Sequence, residues 1–89
     1  MRSYTTDRFR KLLKSLPEQI QRQSKVAYKR FKKNPEHPGL RFKQIHAITP
    51  IYSVRISRDF RAVGIRDKSD IVWFWIGSHT DYEELISRI

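Results

Sequence analysis

The sequence predicts an α+β domain in which an N-terminal helical hairpin packs on a small curved antiparallel sheet of three to five strands, followed by a short C-terminal helix. Apolar residues recur at helical spacing through the first third of the chain, and they alternate with polar residues from Tyr52 onwards. Short polar turns divide the second half. At 89 residues the chain has room for one domain, which we expect to span residues 1–89.

The first half is predicted to form the helical hairpin. Four apolar residues fall at i, i+3, i+4 and i+7 and define one face of the first helix: Phe9, Leu12, Leu13 and Leu16. Thr6 or Asp7 can cap its start, and Pro17 separates it from the second helix. We expect the second helix over residues 18–33, because an Asn-Pro pair follows directly and proline cannot continue a helix.

The second half is predicted to form a meander of three antiparallel strands. Residues 52–56 alternate between apolar and polar, and turns at 57–59 and 67–70 lead into strands at 60–66 and 71–76. The last strand is apolar on both faces, so we expect it inside the sheet. On this interpretation Trp73 and Trp75 share one strand face with Ile71 and pack in the core.

Three weaker elements complete the predicted fold. Residues 40–45 are expected to form a fourth strand, and residues 2–5 are expected to add an edge strand. Residues 81–89 are expected to form the C-terminal helix, with three apolar residues facing inward: Leu85, Ile86 and Ile89.

The net charge of +10 is concentrated in the first half of the chain. Residues 1–46 hold 13 Lys or Arg against three Asp or Glu, whereas residues 47–89 hold six of each. This asymmetry favours a polyanionic or acidic partner on that side, over the alternative of a basic surface kept for solubility. The absence of cysteine and of a signal-like or membrane-spanning apolar segment predicts a cytoplasmic protein with no membrane partner.

Four sequence segments in register carry a resemblance to a known family. They are PGLRF at 38–42, YSVRI at 52–56, DFRAVGI at 59–65 and IVWFWIGSHTDYEEL at 71–85. The chain resembles the RelE/ParE superfamily of toxins from bacterial type II toxin–antitoxin modules, and the likeness covers nearly its whole length. The Gly-Ser-His ending with Tyr82 three residues on looks more like the HigB-type and YoeB-type members than like ParE proteins.

The resemblance implies one of two activities. The first is ribosome-dependent cleavage of mRNA by attack of a ribose 2′-hydroxyl on its own phosphodiester, a reaction that requires no metal or other cofactor. The alternative is inhibition of DNA gyrase in the manner of ParE without catalysis, and a third possibility is an inactive RNA-binding relative. In each toxin interpretation the implied partner is a small acidic antitoxin protein, and the first adds the ribosome and mRNA.

Four residues are the predicted catalytic set for RNA cleavage: Arg55, Arg61, His79 and Tyr82. Arg55 projects from the strand face opposite the core residues, and a turn at 57–59 brings Arg61 beside it, so an anion can lie between the two guanidiniums. His79 suits proton transfer near neutral pH, with Tyr82 as a second proton donor or a surface for base stacking. Gly77 is expected to let the chain turn sharply before them.

Alternatives stay open for each of these residues. Asp59 or Asp67 can neutralise either arginine, and Ser78 or Thr80 can simply cap the last helix beside a solvated His79. Asp81 either orients His79 or favours the start of the helix. Four further residues are expected to contact RNA: Arg41, Lys43, His46 and Arg58.

Overall fold

The computed structural model describes all 89 residues as three helices and one five-stranded sheet. The elements in chain order are β1 (Arg2–Thr5), α1 (Asp7–Lys14), α2 (Glu18–Lys33), a 3-10 turn (Pro38–Leu40), β2 (Lys43–Gln44), β3 (Ile51–Ser57), β4 (Phe60–Asp67), β5 (Asp70–Ser78) and α3 (His79–Ile86). The predicted α+β fold class, with its leading helical hairpin and its short C-terminal helix, is confirmed.

The strands lie in the order β1-β5-β4-β3-β2. β2 to β5 pair antiparallel, and β5 lies inside the sheet as expected. β1 pairs parallel to β5, a direction that the sequence analysis did not specify. The expected strand at 40–45 shortens to Lys43–Gln44, because Pro38–Leu40 form a 3-10 turn and Arg41 has a left-handed φ of 47°, which interrupts an extended path.

A β-bulge in β5 determines which of its side chains point to each face of the sheet. Gly64 of β4 lies opposite Trp73 and Val63 opposite Trp75, so Phe74 is the extra residue. Trp73 therefore packs on the hairpin face, whereas Trp75 packs on the opposite face beneath α3. The prediction that Trp73 and Trp75 share a face is wrong, since one extra residue reverses the alternation that follows it.

Both faces of the sheet are consequently buried. On the hairpin face Phe31 contacts Trp73 edge-on, with ring centroids 5.3 Å apart at 80°, an arrangement that adds about 0.5–1.5 kcal/mol to the burial of the two rings. On the opposite face, which we call the α3 face, one cluster holds Ile51, Val63, Trp75 and Tyr82. The hydroxyl of Thr6 accepts the Phe9 N–H and caps α1, one of the two caps that the sequence allowed.

Gly77 is needed for a close approach rather than for a turn. It lies within β5 and has no positive φ. A Cβ at this position would lie 2.7 Å from Cζ2 and 2.8 Å from Cη2 of Trp75, so the indole occupies the space that a side chain would fill. The expectation that Gly77 makes a sharp turn is wrong, and the strand continues to Ser78.

α3 begins two residues earlier than predicted. The hydroxyl of Ser78 accepts the Asp81 N–H and caps a helix whose first residue is His79. Leu85 and Ile86 pack against the α3-face cluster as expected, whereas Ile89 lies beyond the helix and is exposed. None of the three helices is long and apolar enough to cross a membrane.

Candidate functional site

Two arginines meet at the end of the sheet where β3 turns into β4. Arg55 and Arg61 are directly opposite one another in the antiparallel register, so their side chains leave the same face of the sheet. Neither forms an ion pair with Asp59 or Asp67, the partners that the sequence left open. The predicted adjacency is confirmed, and neither guanidinium forms an ion pair; the nearby Asp59 carboxylate is only a minor influence on the Arg61 pKa.

Arg61 is held by the turn that precedes it. Its Nη1 donates to the carbonyl oxygens of Ser57 at 2.8 Å, Phe60 at 3.0 Å and Arg58 at 3.1 Å. Its Nε and Nη2 donate to no group in the protein. Burial, and secondarily the neighbouring Arg55, lower the pKa of Arg61 below its ordinary value. Because that ordinary value is far above neutrality, the guanidinium stays charged, with one edge fixed and the other available to an anion.

His79 lies at the same end of the sheet as the arginine pair. Its backbone N–H donates to the Asp59 carbonyl at 2.6 Å, which ties the start of α3 to the β3–β4 turn. The side chain is 47% exposed, and its Nε2 lies 3.1 Å from Oε1 of Glu83 one helical turn away. The imidazole is therefore accessible to a ligand and has a carboxylate beside it that can pair with its protonated form.

Tyr82 lies in the core rather than at the surface. It is only 6% exposed, and its hydroxyl donates to the Ser53 hydroxyl at 3.2 Å in a buried contact. One ring face stacks on the His79 imidazole, with centroids 5.8 Å apart at 25°. The predicted surface for base stacking is wrong, because a ring this deeply buried offers no free face to a nucleotide. The buried Tyr82 ring instead packs against the His79 imidazole from the core side.

The remaining predicted RNA-binding residues separate into two groups. Arg41 is exposed and close enough to Arg61 that its charge helps to lower the Arg61 pKa. Lys43 lies opposite Ser53, on the same face as Arg55 and diagonal to it, and Arg58 lies exposed in the β3–β4 turn. These three basic side chains therefore lie near the arginine pair, and their contact with RNA stays a prediction.

His46 lies at the other end of the sheet. It belongs to the loop before Ile51, and the four residue steps from Ile51 to Arg55, about 14 Å at 3.4 Å per residue, separate this loop from the arginine pair. Its Nδ1 accepts the backbone N–H groups of Thr49 at 2.9 Å and Ile48 at 3.3 Å. His46 therefore shapes its own loop through Nδ1 and lies away from the arginine pair, and its contact with RNA stays a prediction.

Two contacts of the site were missed from the sequence. Glu83, rather than Asp81, is the carboxylate beside His79, and its i, i+4 spacing on a helix was a signal that could have found it. Asp81 lies in the first turn of α3, where a negative charge favours the helix start. Ser53 accepts the Tyr82 hydroxyl across 29 residues, a pairing that no local pattern reveals.

The chain belongs to the ParE-like toxin family. A family model described as the ParE-like toxin domain matches residues 18–84, which include the second helix, every strand after it and most of α3. This match confirms the resemblance to the RelE/ParE superfamily of toxins. A comparison with curated protein sequences returns no match.

Solved structures of similar toxins share the fold at low sequence identity. The toxin of the RelB–RelE antitoxin–toxin complex from Methanococcus jannaschii is 16% identical, with a TM-score of 0.74 over 92% of this chain and 96% of that one. YafQ from E. coli strain BL21(DE3) is 10% identical, with a TM-score of 0.72 over 92% and 98% of the two chains. The isolated E. coli RelE toxin is 16% identical, with a TM-score of 0.64 over 98% and 96%.

The buried Tyr82–Ser53 pair gives a stability test. We expect Tyr82→Phe to lower the free energy of unfolding by about 1–3 kcal/mol, because it leaves a buried Ser53 hydroxyl without its partner. Adding Ser53→Ala to this variant should recover most of the loss, since both polar partners are then gone. Equilibrium urea unfolding of the three proteins measures both effects. A Tyr82→Phe protein with unchanged stability would contradict the structural role.

Proposed function

We propose that this toxin is an endoribonuclease that cleaves mRNA on the ribosome. Arg55 and Arg61, with Arg41 close by, bind the phosphate of the bond to be cut, and His79 transfers a proton. The observation that carries the proposal is the arginine pair itself: two directly opposed guanidiniums without a carboxylate partner, at the end of the sheet where an accessible imidazole starts α3.

The proposed reaction is an internal transfer of the phosphoryl group. The ribose 2′-oxygen attacks the adjacent phosphorus as the bond to the 5′-oxygen breaks, giving a 2′,3′-cyclic phosphate and a 5′-hydroxyl. Because Glu83 can pair with the imidazolium, we assign His79 the donation of a proton to the departing 5′-oxygen, and the 2′ proton passes to water. The arginines offset the charge that accumulates on the phosphate oxygens.

Arg61 is suited to this role because its orientation is set before substrate binds. Three carbonyl oxygens of the turn hold Nη1, so the free edge of the guanidinium needs little reorganisation to meet a phosphate. Lys43 and Arg58 lie within the same basic region and are proposed to contact neighbouring phosphates of the RNA.

Gyrase inhibition is the competing function, and the name of the matching family model favours it. A surface that only binds gyrase requires positive charge and shape but no proton-transfer group. A nuclease therefore requires the His79 imidazole, whereas gyrase inhibition does not.

We expect His79→Ala to abolish growth arrest on induction, because a positioned acid or base contributes about 10²–10⁴-fold to a reaction rate. Glu83→Gln keeps the imidazole and should reduce activity far less. Thermal melts of both variants should match the wild type, since both side chains are largely exposed and their ion pair is worth about 0–1 kcal/mol. A folded His79→Ala protein that still arrests growth would overturn the nuclease proposal and support the gyrase alternative.

Ribosome dependence is a separate proposal. The chain is small and has little surface with which to order an RNA strand, whereas the basic residues of its first half can contact ribosomal RNA phosphates. We expect purified protein to cleave mRNA in the decoding site of stalled ribosomes and to leave the same naked RNA intact. Primer extension on both substrates measures this. Equal cleavage of naked RNA would contradict the proposal.

We further propose that a small acidic antitoxin neutralises this protein. The +10 charge and the RelB–RelE complexes among the similar structures support such a partner. We expect the product of the neighbouring gene to co-purify with the tagged toxin at low salt and to dissociate more readily as salt is raised. Recovery of no acidic protein at low salt would contradict this.

A further inference from the structure

A second basic surface adjoins the arginine pair on the side of the helical hairpin. A groove of about 470 Å³ lies between α2 and the end of β3. Four arginines line it, and we call it the α2–β3 groove: Arg22, Arg30, Arg55 and Arg58. No Asp or Glu contributes to its lining, and the apolar side chains of Val26 and Ile56 form part of its surface.

Three of these arginines have no partner within the protein. Arg22 pairs with Glu18 at 3.3 Å, and both of these side chains are exposed. Arg30, Arg55 and Arg58 make no ion pair and donate no side-chain hydrogen bond. Positive charges gathered in one concave surface repel each other, so an anion bound in the groove would be favourable.

The edge of the sheet is open at this groove. β2 pairs only with Tyr52 and Ser53, so the outer edge of β3 beyond Ser53 has no strand partner. Arg55 belongs both to this groove and to the pair with Arg61. An anion bound in the groove is therefore adjacent to an anion bound between Arg55 and Arg61.

We propose that the α2–β3 groove binds the phosphates of single-stranded RNA that flank the phosphate held by Arg55 and Arg61. This inference rests on the proposed nuclease function for its link to cleavage, although RNA binding by the groove can be measured by itself. Arginine forks match phosphate oxygens in pairs. An RNA strand carries one negative charge per nucleotide, which suits a groove with several arginines that shares Arg55 with the arginine pair. Its ribose or base can cover the apolar surface at Ile56.

The test is salt-dependent binding of a labelled, 2′-O-methylated oligouridine, which cannot be cleaved by attack of its 2′-oxygen. Each phosphate contact contributes about 0.7 to the slope of log Kd against log salt for a single strand. We expect Arg30→Gln with Arg58→Gln to lower that slope by about 1.4, the loss of two contacts. The matched control is Lys11→Gln with Lys14→Gln, which removes the same charge from α1 and should leave the slope unchanged.

Equal slopes in the groove variant and the control would overturn the proposal, because binding would then depend on net charge alone. A polyglutamate peptide of the same length should bind more weakly than the oligouridine and should be insensitive to the groove substitutions. A peptide that binds as tightly and loses the same slope would assign the groove to an acidic protein and overturn the RNA assignment. The result is independent of His79→Ala, so the groove and the nuclease function can fail separately.

Discussion

The extra residue in β5 is the constraint on which the rest of the structure depends. With Phe74 bulged, Trp73 and Ile76 face the helical hairpin while Trp75 and Gly77 face α3. An unbroken alternation would place both indoles on the hairpin face and turn Ile76 towards α3. The bulge therefore gives each face of one short strand its own aromatic anchor. Because Gly77 has no side chain, the Trp75 indole can lie over it, and the strand runs on to Ser78, whose hydroxyl caps α3.

Large side chains fill the middle of the α3 face, so the charged side chains of the candidate site lie at the end of the sheet. Tyr82 and Trp75 cover the middle of that face, and Arg55 and Arg61 lie beyond them. Two like charges about 4 Å apart repel by about 1 kcal/mol in water and by about 4 kcal/mol near a protein surface. The Nη1 of Arg61 donates to carbonyl oxygens of the turn, and a hydrogen bond from a charged donor is worth about 1.5–3 kcal/mol, which is comparable in size to this repulsion and keeps Arg61 in place beside Arg55.

Features set by local periodicity could be predicted from the sequence. Features set by one inserted residue, or by a contact between distant residues, could not. The helix periods, the alternation of β3 and the turn at 57–59 were enough to place Arg55 opposite Arg61. The faces of Trp73 and Trp75 could not be predicted, because a bulge has no reliable signature in a strand that is apolar on both sides. Tyr82 was misplaced for the same kind of reason, since its partner Ser53 lies on another strand.

The distribution of acidic residues explains why the basic surface stays available. In the balanced second half, Asp70 pairs with Arg2, Glu84 with Arg88 and Glu83 contacts His79. Such exposed pairs contribute about 0–1 kcal/mol each, so they add little to stability. As a result, Asp70, Glu83 and Glu84 form no ion pair with the arginines of the β3–β4 turn. Arg30 of α2 and the arginines of that turn form no ion pair, and the charge excess of the first half adjoins the candidate chemistry of the second.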